Sequence, residues 1–165
     1  MSATTAYSGT RVAGDVIDIA LTYDNAARDL DVVFNGVDFE IDPTPASVLL
    51  HSLVVRRRAH PDDPWPASVP DWANPSSFTA RGGWVGDALD PNGWLVGSRL
   101  WELDRRLADD QTRSDCQDYL VEALAPLETS RGYAIAVQTG WEMPQILGYS
   151  VTVGSTTLQL QKAFG

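Results

Sequence analysis

Cysteine is almost missing from this chain: Cys116 is the only one in 165 residues, so no disulfide can form within it. Positive charge is scarce as well. Twelve Lys and Arg stand against 22 Asp and Glu, a formal net charge of -10. Nucleic acid and anionic membranes select basic surfaces, so neither is expected as a partner. A basic protein partner remains open. No apolar run approaches the roughly 18 residues that cross a bilayer. Met1 to Thr10 have neither a basic nor an apolar stretch, so a secretory signal is not expected. A soluble protein made in a cytoplasm is expected. Internal repeats and low-complexity segments are absent too.

Catalytic patterns are equally thin. His51 and His60 have no second His or Cys at metal-ligand spacing. Ser98, in Val96-Gly-Ser-Arg-Leu100, lacks the second glycine of a nucleophile elbow and reads as a helix N-cap. No Lys-Ser/Thr follows Gly82, Gly83 and Gly86, as a phosphate loop requires. Carboxylates abound at Asp62, Asp63, Asp71, Asp87, Asp90, Glu102 and Asp104. A glycosidase needs two at a fixed separation, but an acidic chain supplies such pairs by chance. No catalytic residue, cofactor or metal ligand is assigned. Cys116, beside Leu120 on a helix face, reads as a small buried apolar residue.

What is present is the composition of a globular protein, 44% apolar and 21% charged. Residues 1–14 read as a mobile arm and 15–165 as a single α+β domain. Val16–Leu21 reads as a strand. Leu30–Phe34 and Val37–Ile41 flank Asn35-Gly36, the sequence of a type I′ hairpin. Asp42-Pro43 opens a helix striped by Ala46, Leu49, Leu50, Leu53 and Val54, with Arg56, Arg57 and Arg58 at its end. From about 59 to 96 periodicity vanishes, and six of the ten prolines and four of the six tryptophans fall there. A structureless stretch beyond roughly 12–15 residues points to a functional loop. Ser98–Ala108 reads as a second helix. Thr112-Arg-Ser-Asp115 resembles a capping box opening a third, antiparallel to the second and ended or kinked by Pro126. Tyr133–Gly140, Ile146–Val153 and Thr156–Lys162 read as three strands. The last alternates cleanly, with Leu158 and Leu160 on one face, as befits a sheet edge or a strand offered to another chain. The expected fold is α+β: an N-terminal strand and hairpin, three helices, and a small, mostly antiparallel C-terminal sheet.

The densest feature is Arg81-Gly-Gly-Trp-Val-Gly-Asp87, followed by Pro91-Asn-Gly-Trp94 and Gly97-Ser-Arg-Leu-Trp-Glu-Leu103. Tryptophan and arginine dominate the energetic centres of interfaces, and glycine permits turns that other residues resist. Arg81, Trp84, Asp87, Trp94, Arg99 and Trp101 are therefore candidate partner-contact residues. Leu158 and Leu160 join them through the terminal strand.

The same motifs, with Asp-Ile-Ala-Leu at 18–21, Arg57-Arg58-Ala59 and Glu122-Ala-Leu124, resemble the Mu-like phage baseplate protein family, over roughly residues 15 to 153. Gly83 and Val85 depart from the pattern, which has bulkier residues there. The resemblance implies a structural role, similar to the wedge proteins of T-even phages that initiate the sheath, in sixfold array around the tube. It implies larger wedge proteins and tail sheath subunits as partners, with tail tube and spike-hub proteins as further candidates, and the virion as the final location. A Glu-Pro-Arg element used by the T-even relatives is missing, so that contact does not carry over. Two alternatives stand beside this reading: a tail-associated peptidoglycan hydrolase using an Asp/Glu pair, and the same structural role in a tail-derived injection machine.

Overall fold

The computed structural model describes residues 18–27, 29–60, 63, 82–104 and 106–164. The expected arm at 1–14, Arg81, Arg105 and most of the proline-rich stretch lie outside them.

Four short strands open the described chain: β1 (Asp18–Ile19), β2 (Leu21–Asp24), β3 (Asp29–Val32) and β4 (Ile41–Asp42). β2 pairs antiparallel with β3, Leu21 opposite Val32, and β1 with β4, Ile19 opposite Ile41. Ala20 joins the two pairs: its amide donates to the Glu40 carbonyl at 2.8 Å, and its carbonyl accepts from Val33 at 3.0 Å. The expected turn forms one residue out of register. Asn35 and Asp38 close it at 3.0 Å, and Gly36, with φ +96°, and Val37 occupy its centre. Glycine first in a two-residue turn is the requirement of type II′. Asn35 contributes its side chain instead, Oδ1 accepting from the Val37 and Asp38 amides at 3.1 and 3.0 Å.

Helix α1 (Ala46–Val54) starts three residues beyond Pro43. Asp42 is buried and accepts from the amides and hydroxyls of both Thr44 and Ser47, which fixes the entry to the helix. Ser47 Oγ in turn accepts the Leu21 amide at 3.0 Å, tying β2 to α1.

The expectation of three helices needs correction. Of the described residues in Ser98–Ala108, only Leu100–Leu103 form a helical segment, a single 3-10 turn, and a second such turn lies at Val85–Leu89. Ser98 is held in a parallel bridge with Arg56, and Leu107 is 79% exposed, so the apolar stripe stops at Leu103. Among the described residues the α-helices are α1 and α2 (Asp110–Arg131). Asp109, not Thr112, caps α2: its carboxylate accepts the Thr112 amide at 2.8 Å, and that bond lowers the Asp109 pKa. Pro126 lies inside α2 without ending it. A proline leaves the carbonyl four residues earlier without its helical partner. Here that carbonyl is Glu122's, and Arg57 donates to it at 3.3 Å.

Strands β5 (Ile135–Met143), β6 (Ile146–Val153) and β7 (Thr156–Ala163) form an antiparallel sheet in that order. Val153 pairs with Thr156 across a two-residue turn at Gly154-Ser155. Alternation sends Leu147, Tyr149, Val151, Leu158 and Leu160 inward against α1 and α2, and Gln138, Ser150, Thr157 and Gln159 outward. Leu49, Leu50, Leu53, Leu103, Leu120 and Leu124 complete the core. Cys116 is fully buried within it, and burial pushes its thiol up to about 12, as expected for an inert packing residue.

Candidate partner interface

The glycine–tryptophan–arginine segment forms a strap laid over the extended chain that follows α1. Ser98 donates its amide to the Val55 carbonyl at 2.8 Å, and Arg57 donates back to the Ser98 carbonyl at 3.0 Å. Gly83 donates to the Arg56 carbonyl at 3.0 Å, and Trp101 Nε1 donates to the Arg57 carbonyl at 3.0 Å. The backbone of Arg56 and Arg57 therefore forms the seam that receives the strap, while the Arg56 residue itself stays exposed. Gly97 is required where the chains meet. Its φ is +99°, and a Cβ there would stand 2.3 Å from the Val55 carbonyl oxygen. Neither condition tolerates a side chain.

Arg99 organises the electrostatics beneath the strap. It donates to Glu122 at 2.8 Å and to Asp63 at 2.8 Å, and its guanidinium lies 4.3 Å from the Tyr119 ring centre. Burial opposes its charge, but the bonds to Glu122 and Asp63 outweigh burial and raise its pKa. Glu102 is 1% exposed, accepts from Tyr119 Oη at 3.2 Å and leaves Oε1 without a hydrogen-bond partner. Burial, followed by the nearby charge of Asp63, pushes its pKa to about 7, against the pull of Arg99. A raised carboxyl pKa suits a general acid, but such a group has to reach a substrate. Glu102 is sealed in the core beside Tyr119 and Arg99.

The candidate residues differ in where they point. Arg99, Asp87 and Trp101 face the molecule itself. Asp87 accepts the Trp84 amide at 3.3 Å and the Val96 amide at 2.9 Å, closing the strap's own loop. Trp94 is half-buried above a turn in which Asp90 accepts the Asn92 amide. Leu158 and Leu160 are 3% and 5% exposed and pack into the core. Trp84 is the outward one, 47% exposed, with one edge against His51. The structure adds two residues to it that sequence reasoning missed: Val85 at 78% and Leu89 at 84% exposure. Three apolar side chains within one short turn were the available signal. Arg81 lies outside the described residues.

A second surface is the outer edge of β7. The Gln161 amide faces away from β6, because it donates to Asn25 Oδ1 at 3.1 Å. Antiparallel pairing uses alternate residues, so the amides of Thr157 and Gln159 face the same way. Among the described residues nothing pairs with them.

Fold and site together define a small α+β protein that holds a strap fixed on its surface and leaves a turn and a strand edge open. The chain belongs to the phage protein GP46 family, whose model matches residues 45–158. It is 31% identical over 113 residues to the baseplate protein gp46 of Escherichia phage Mu, spanning 68% of this chain and 69% of that protein. The match to the family model begins at the start of α1 and ends in β7, so it includes the strap and leaves out the hairpin at 29–42.

Proposed function

We propose that this chain is a structural component of a contractile phage-tail baseplate. It docks on larger wedge proteins and initiates the sheath through its C-terminal strands. Membership of the GP46 family and the Mu baseplate relative support the baseplate location. The observation that carries the strand half is the open edge of β7 at Thr157 and Gln159. An incoming strand gains affinity from backbone hydrogen bonds at such an edge. Leu158 and Leu160 serve that contact by anchoring the strand from behind. Wedge docking falls on the apolar turn Trp84, Val85 and Leu89, while Arg99 and Trp101 hold the strap that presents it.

The test is Gln159→Pro. Proline removes an amide that faces outward, so the β6–β7 ladder stays intact and the edge is blocked. The purified variant keeps its melting temperature within a few degrees, while assembly reactions yield few or no sheaths. Sheaths of normal number and length with this variant would refute strand pairing and leave wedge docking alone.

A further inference from the structure

The tip of the N-terminal hairpin carries apolar side chains that the fold does not use. Phe34 and Phe39 form a bridged pair with ring centres 4.8 Å apart. Phe34 is 63% exposed, Ile41 54%, and Val37, at the apex, 97%. Leu21 and Leu30, at the base of the hairpin, pack against the core, whereas Phe34, Phe39 and Ile41 beyond them are exposed. The apolar side chains of this segment therefore continue past the core into solvent. Exposed apolar patches with polar rims mark interaction sites.

The rim has one sign. Between Asp18 and Asp42 the sequence has seven carboxylates and one arginine. Asp31, Asp38 and Glu40 beside the tip are exposed and form no ion pair among the described residues. A second copy is a poor occupant on the same grounds. It brings its own charge of -10, and its open groove between Leu107, Trp141 and Met143 is bordered by Asp109 and Glu142. Like charges brought together at an interface oppose binding. An anionic lipid surface is disfavoured for the same reason.

We propose that Phe34, Val37 and Phe39 form a plug that seats in an apolar recess, rimmed by arginine or lysine, on a different protein of the same assembly. That the chain works inside an assembly rests on the preceding reading; the recess and its charge do not. The hairpin lies outside the residues matched by the family model, 45–158.

The experiment compares incorporation of the full-length chain into purified particles by quantitative mass spectrometry. A photo-crosslinking residue at position 37 identifies the neighbour. Val37→Asp lowers incorporation at least tenfold, with an unchanged melting curve for the purified protein. The double variant Asp38→Lys, Glu40→Lys lowers it severalfold, because the partner's rim is basic. The crosslink joins position 37 to another protein, on a peptide bearing Arg or Lys. Wild-type incorporation of Val37→Asp overturns the plug. A crosslink to a second copy, or stronger incorporation of the charge-reversed variant, overturns it in favour of self-association. Flotation of the purified chain with phosphatidylcholine vesicles, lost in Val37→Asp, overturns it in favour of lipid. Absence of the wild-type chain from the particles removes the assembly reading and the plug together.

Discussion

The strap at 82–104 and the hairpin tip at 33–41 are both surface segments, and they spend their side chains in opposite directions. The strap has the composition of an interface, rich in tryptophan, arginine and glycine. Most of it is directed inward: Trp101 and Gly83 bond to the seam, Arg99 pairs with the half-buried carboxylates of Glu122 and Asp63, and Gly97 admits the chain. The hairpin has ordinary strand composition, yet Phe34, Val37 and Ile41 lie open. An indole or guanidinium that satisfies internal acceptors stabilises its own fold. An apolar ring left in water stabilises nothing until something covers it. Residue type alone does not separate the two; the location of the hydrogen-bond partners does.

The comparison breaks or holds on stability measurements. The largest effect belongs to Gly97→Ala, which forces a Cβ to 2.3 Å from a backbone oxygen at φ +99°. A loss of about 3 kcal/mol or more is expected in denaturant unfolding. A loss under about 1 kcal/mol would mean that the strap is not stapled at this point.

Next in size is the pH response of Glu102. The folded protein holds this proton up to about pH 7, whereas an ordinary glutamate releases it near 4.5. Between those values the folded state binds more protons than the unfolded one. This group's contribution is therefore fully present below about pH 4.5 and falls as pH rises to about 7, by on the order of 2–3 kcal/mol. Glu102→Gln removes that slope relative to wild type, and parallel stability–pH curves for the two proteins would contradict the assignment. Trp101→Phe comes third: it leaves the Arg57 carbonyl without its donor and costs about 1–2 kcal/mol in a thermal melt. At the small end, Val37→Asp changes stability by no more than about 0.5 kcal/mol, because the side chain touches so little. A larger loss there would erase the distinction between strap and tip.

The elements with strong periodicity were legible in the sequence. The α1 stripe, the Leu120–Leu124–Leu127 face of α2 and the alternation of β7 all appear where their patterns place them. Two of the failures share one cause, long-range pairing. The stretch after Gly97 has a helical stripe, but Ser98 is bound 45 residues away to Leu53, and a single turn is all that follows. Pro126 has the local chemistry of a helix stop, and an arginine 65 residues from Glu122 takes the carbonyl it frees. The Asn35-Gly36 turn slips by one residue because the asparagine side chain caps the loop better than its backbone enters it. For the candidate interface, the segment was legible but its orientation was not. The outward side chains are Trp84, Val85 and Leu89, and neither aliphatic residue belongs to a type that signals contact.

Lys162 is the only lysine in the chain. Its side chain is 11% exposed, and its ammonium is held 2.6 Å from Asp104, where the last strand meets the end of the strap. The molecule therefore contains one side-chain amine, and that amine is protected while strand and strap stay together. Amine-reactive reagents gain fuller access to it when the two part. Its acylation rate is a clock for that opening, readable in the free protein and again inside an assembled particle. A partner that clamps the terminal strand would slow the clock, and one that pries it away would speed it.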